Sequence, residues 1–112
     1  MHNTFKKHEL KIAPEIFMDH PDYAALVIYA ENIVNGESDH RTISVLRNAE
    51  DLARSAFAGH ELSDDPRIVA WREAFREFGA KPKKYLCGAE ALIHRVLAGE
   101  SIPAINLIVD LY

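Results

Sequence analysis

The sequence predicts a mixed α+β fold, with helices packed on one side of a small sheet. Two observations lead there. Tyr23 to Val34 reads as a strand, and the chain after residue 37 is dominated by apolar stripes at helical spacing, each closed by a glycine. At 112 residues the chain is one small domain, residues 1–112. Its 48% hydrophobic and 27% charged content is that of a folded chain rather than a disordered one.

In order, Met1–Lys7 is polar and read as loose. Leu10 and Ile12 alternate with Lys11, a short strand signal before Pro14. Ile16, Phe17 and Met18 form an apolar turn or short helix between Pro14 and Pro21. Ala24 to Ile28 is apolar on both faces, as in a covered central strand, and the run then alternates through Ala30–Val34. Such a strand needs neighbours on both edges, and the sequence offers few. Asn35-Gly36 reads as the turn that closes it.

Ser38 is placed to cap a helix that carries Ile43, Leu46, Ala49, Leu52, Ala53, Ala56 and Phe57 on one stripe, ending at Gly59. Ser63-Asp64-Asp65-Pro66 starts the next, with proline at the first helical position. Ile68, Trp71, Phe75 and Phe78 make it aromatic and core-facing, and Gly79 ends it. Ala80-Lys81-Pro82-Lys83-Lys84 breaks the helical pattern, because proline lacks a donor and restricts its predecessor. A last helix sets Ala89, Leu92, Ile93, Val96 and Leu97 on one stripe before Gly99. Ile102–Tyr112 is apolar and fits either a helix or a strand.

The residues from 71 onward resemble the B3/B4 domain, the tRNA-binding and editing domain of the phenylalanyl-tRNA synthetase beta subunit, also found as free-standing proteins. Trp71-Arg72, Arg76, Phe78-Gly79 and Lys81-Pro82 carry the likeness, followed by Cys87, Ala89-Glu90-Ala91-Leu92, Arg95-Val96-Leu97, Pro103-Ala104-Ile105-Asn106 and Val109-Asp110. The match covers roughly the last 45 residues and is loose before them. That domain is about twice as long, a layered α/β structure built on a β-sandwich. The resemblance therefore implies its N-terminal half, incomplete at the C-terminal end. It also implies hydrolysis or binding of mischarged aminoacyl-tRNA, with Asn106 as a ligand contact at the editing pocket and the remaining pocket residues in the half that follows.

Charge supports a local nucleic-acid contact only. A net charge of −4 argues against a chain whose whole surface grips nucleic acid. Yet Arg67, Arg72, Arg76, Lys81, Lys83 and Lys84 cluster against Glu73 and Glu77, with Arg72 and Arg76 one helical turn apart. Arg72, Arg76, Lys81, Lys83 and Lys84 are the candidate contacts to the phosphates of a tRNA acceptor end; the plainer reading is a solvated face and a lysine-rich turn. The single cysteine, Cys87, excludes an internal disulfide, and with neighbouring lysines its reading is a buried structural residue rather than a nucleophile. The six histidines show no ligand spacing, so no metal and no cofactor is expected. His94 is read as bordering the core, and Asp110 as a cap or ion-pair partner.

With no leader-like apolar segment at its start and no run long enough to span a bilayer, the chain is read as cytoplasmic. Two alternatives to an aminoacyl-tRNA deacylase stand beside it. One is a binding module of the same fold without catalysis. The other is an interaction protein whose unpaired strand edges complete a sheet with a partner or a second copy.

Overall fold

A computed structural model describes residues 8–112; the expected loose start, Met1–Lys7, lies outside them. Four helices order the chain: α1 Pro14–Asp19, α2 His40–Ala56, α3 Pro66–Glu77 and α4 Gly88–Leu97. Short 3-10 turns stand at Leu62–Asp64 and Val109–Leu111. Among the described residues there is no strand, so the expected sheet and the α+β class are corrected to a helical architecture.

The correction has a local cause. A strand exists only by exchanging main-chain bonds with a neighbour. Among the described residues no backbone hydrogen bond reaches residues 24–33. Asn32 also sits at φ 57°, a left-handed position that asparagine tolerates and that breaks an extended run. Leu10–Ile12 likewise forms no ladder. Asn35-Gly36 does not close a hairpin; Gly36 O accepts from Leu107 N at 3.1 Å, and Asn35 Oδ1 from Ile108 N at 3.2 Å. The apolar end becomes an irregular segment and a 3-10 turn, neither helix nor strand.

The described residues divide into two units, with the boundary between Ile33 and Val34. In the first, α1 begins on Pro14, with Phe17 edge-on to Tyr23 at 6.2 Å between ring centres. His8 Nε2 lies 3.0 Å from the Tyr29 hydroxyl, which donates to Glu31 at 2.7 Å.

The second unit is organised by α2. Its cap is Asp39 rather than Ser38: the carboxylate accepts from the N–H groups of Arg41 and Thr42 at 2.9 and 3.2 Å, while the Thr42 hydroxyl accepts from Asp39 N. The inward face also differs from the expected stripe. Thr42, Leu46 and Glu50, spaced by four, are buried, while Ala49, Leu52 and Ala56 face water. Helix α2 packs on α4 and on the C-terminal 3-10 turn, and α3 on the turn at Leu62.

Helix punctuation is as expected at α3 and α4. Pro66 opens α3, with Asp65 accepting from Arg67 N at 2.9 Å. Gly79 at φ 80° and Gly99 at φ 88° close α3 and α4, each followed by a bond reaching back across the last turn, Ala80 N to Phe75 O and Glu100 N to Arg95 O. Leu46, Leu62, Ile68 and Val96 are the buried apolar residues. The aromatic face of α3 is not core: Trp71 and Phe78 are exposed and Phe75 half-buried.

Candidate functional site

The turn between α3 and α4 is built to hold its lysines outward. Pro82 is buried, whereas Lys81, Lys83 and Lys84 on either side of it are exposed. Two main-chain bonds tighten the loop onto one carbonyl, Lys84 N to Lys81 O at 3.0 Å and Tyr85 N to Lys81 O at 2.9 Å. Proline cannot donate, so its ring serves as the anchor while the flanking side chains point to solvent. Lys84 Nζ lies 5.3 Å from the centre of the exposed Tyr85 ring, within cation–π range. Phe78, 65% exposed, caps α3, and Trp71 lies two turns before it on that helix. Cations and flat apolar rings thus occur together from Trp71 to Tyr85.

The arginines divide. Arg76 is exposed in the last turn of α3. Arg72 instead turns inward, its Nε 2.8 Å from Glu90 Oε1 and its Nη2 on the same oxygen, which ties α3 to α4. The Glu90 carboxylate beside it raises the Arg72 pKa above its usual value, so the guanidinium is firmly charged and committed. Arg67 is likewise taken up by Asp65, with Nε at 3.0 Å. Of the five residues expected to contact RNA, Arg76, Lys81, Lys83 and Lys84 are displayed and Arg72 is internal.

Asn106 stands apart from this turn in the chain and is half-buried. Its Oδ1 accepts from Ile108 N at 3.1 Å and Val109 N at 2.8 Å, so the side chain shapes the C-terminal turn. Asp110 is buried and accepts from the Ser38 hydroxyl at 2.5 Å and from Ile105 N at 2.8 Å. Burial pushes its pKa up, but the Ile105 N–H and the Ser38 hydroxyl outweigh this and hold it below the ordinary aspartate value. Ser38, read as a helix cap, thus serves as the donor that satisfies Asp110.

Glu50 makes a third such joint. It is 1% exposed, accepts from Arg47 Nη1 at 2.6 and 2.8 Å, and receives Ile102 N at 2.7 Å. Arg47 Nη1 also donates to Ile102 O at 3.2 Å, so the pair grips that residue's N–H and C=O together. The hydrogen bond from Arg47 holds the Glu50 pKa below the usual glutamate range, against the opposing effect of burial. Glu50, Glu90 and Asp110 were not picked out as core positions, because a periodicity argument counts apolar residues only. Arg47, three residues before Glu50, is the sequence signal pointing to the first of them, while Asp110 is read from the sequence only as a cap or ion-pair partner.

Cys87 is half-buried at the N-cap of α4, without a side-chain capping bond, and His94 is exposed rather than bordering the core. Among the described residues no three His, Cys, Asp or Glu side chains converge as metal ligands would. A cleft of about 260 Å³ at the end of α2, lined by Phe57, His60, Glu61, Asp64 and Pro66, is acidic and so unsuited to phosphate. No helix among the described residues is long and apolar enough to cross a membrane. Neither a family model, nor a curated protein, nor a solved structure matches the chain.

Proposed function

We propose that this chain binds the single-stranded acceptor end of an aminoacyl-tRNA through the turn between α3 and α4, in the manner of an editing-domain module. The observation that carries the reading is the buried Pro82 flanked by three exposed lysines, next to the exposed rings of Tyr85 and Phe78. Affinity for single strands comes from cations along the phosphates together with rings on which unpaired bases stack. The resemblance of residues 71 onward to the B3/B4 domain supplies the tRNA, and Asn106 is the residue proposed to meet the amino acid or its ester. We place the protein in the cytoplasm, a reducing setting that suits free Cys87.

Binding, rather than hydrolysis, is the activity we assign to these 112 residues. Deacylation needs a group free to orient water and to polarise the ester. Glu50, Glu90 and Asp110 are each committed to internal hydrogen bonds. Mischarged Tyr-tRNA incubated with the chain should therefore lose its amino acid at the uncatalysed rate; robust hydrolysis would overturn that assignment.

The binding itself is tested by titrating tRNA at several salt concentrations. Contacts from Arg76, Lys81, Lys83 and Lys84 predict a log–log salt slope of about −3 for a single-stranded end. Replacing the three lysines by glutamine should bring the slope to about −1 or shallower, with helicity unchanged because all three are exposed. Salt-independent binding, or equal affinity for the triple variant, would contradict the reading.

A further inference from the structure

The stretch Tyr23–Ala30 is uncharged, yet Leu26 is 91% and Ile28 81% exposed, and Val27 and Tyr29 beside them are exposed as well. Isolated surface leucines need no explanation, but an apolar run exposed along its length is uncommon. Its main chain is open as well, since among the described residues no backbone bond reaches residues 24–33. It combines β-branched and aromatic residues with no proline and no glycine, the composition that pairs readily with another strand.

Charge decides between occupants. Asp19 and Asp22 precede the run and Glu31 follows it, and residues 1–33 carry five acids against three lysines. If the run paired antiparallel with a second copy of itself in full register, Asp22 of each copy would oppose Glu31 of the other. A parallel pairing would set Asp22 beside Asp22. Like charges directly opposite destabilise both arrangements. A strand flanked by lysine or arginine meets the acidic ends favourably instead.

We infer that residues 23–30 are a donor strand, adding by main-chain hydrogen bonds to the exposed sheet edge of a partner protein whose edge strand is flanked by basic residues. The chain itself contributes no sheet to this contact; the partner supplies it. The inference is independent of the tRNA reading, which uses residues 71–85 and Asn106.

The test offers the 112-residue chain two synthetic β-hairpins with the same valine–threonine edge strand, one flanked by lysines and the other by glutamates. Amide hydrogen exchange is followed at Ala24–Ala30. The lysine hairpin should slow exchange there at least about tenfold and bind at least about tenfold more tightly than the glutamate hairpin. Ile28→Pro, which removes a donor, should abolish that protection while α2 and α4 exchange as before. Equal protection by both hairpins, or protection by neither, would overturn the inference. So would protection that rises with chain concentration when no hairpin is present, because the occupant would then be a second copy.

Discussion

Between residues 34 and 112 the side chains withdrawn from water include Glu50, Glu90 and Asp110 beside Leu46, Ile68 and Val96; between residues 8 and 33 no described side chain is buried, and Leu26 and Ile28 stand in solvent. The contrast follows from what each region offers a side chain to bond with. A buried carboxylate costs several kcal/mol unless its oxygens are satisfied, and each of the three meets its donors: Arg47 and Ile102 N, Arg72, or Ser38 and Ile105 N. Each joins segments far apart in sequence, so these charges act as fasteners between α2, α3, α4 and the C-terminal turn. Among the described residues the apolar run has no neighbour that bonds its main chain, and hydrophobicity alone does not bury it.

The sharpest way to break this comparison is to remove one partner of a fastener. Arg72→Ala leaves Glu90 buried without its counter-charge and should cost about 3–5 kcal/mol of unfolding free energy in urea. Replacing both partners, Arg72→Met with Glu90→Leu, should recover most of that loss. If the single and double variants unfolded alike, Glu90 would not be the group that matters.

Acid should act on the same region. A carboxyl whose pKa is lower in the folded chain than in the unfolded one contributes stability that is complete above the unfolded value of about 4 and is lost as pH falls through the folded value. Glu50 and Asp110 are both held low, so the melting temperature should fall as pH drops below about 4. Glu50→Gln, followed by circular dichroism, should flatten part of that acid slope. An unchanged slope would mean that the Arg47 contact carries no linkage.

Smaller effects sharpen the local account. Asp39→Ala removes the cap of α2 and should cost about 1 kcal/mol, whereas the nearby Asn35 is outside the capping box. Gly79→Ala, at φ 80° with open space around it, should cost about 1 kcal/mol from backbone strain alone. Leu26→Lys, at an exposed position, should change stability by no more than about 0.5 kcal/mol. A large loss there would show that the run is packed.

The helices were legible because their boundaries are set locally. Asp65-Pro66, Gly79 and Gly99 act within one turn, and all three fall where the sequence places them. The lysine turn was legible for the same reason, since Pro82 forbids helix wherever the rest of the chain lies. What escaped depended on distant partners. Tyr23–Val34 has the composition of a strand, but pairing is a property of two segments and the second is not among the described residues. Trp71 and Phe78 have core spacing on α3, yet both remain exposed. Arg72 looked like a phosphate ligand, and only the fold reveals Glu90 eighteen residues away as its partner.

Amide hydrogen exchange on the intact chain tests the contrast most directly, because it reads main-chain bonding residue by residue. Slow exchange in the middle of α2 and α4, around Leu46, Glu50 and Val96, with Ala24–Ala30 exchanging as fast as an unstructured peptide, is the predicted result. Slow exchange across Ala24–Ala30 in the chain alone at low concentration would contradict it.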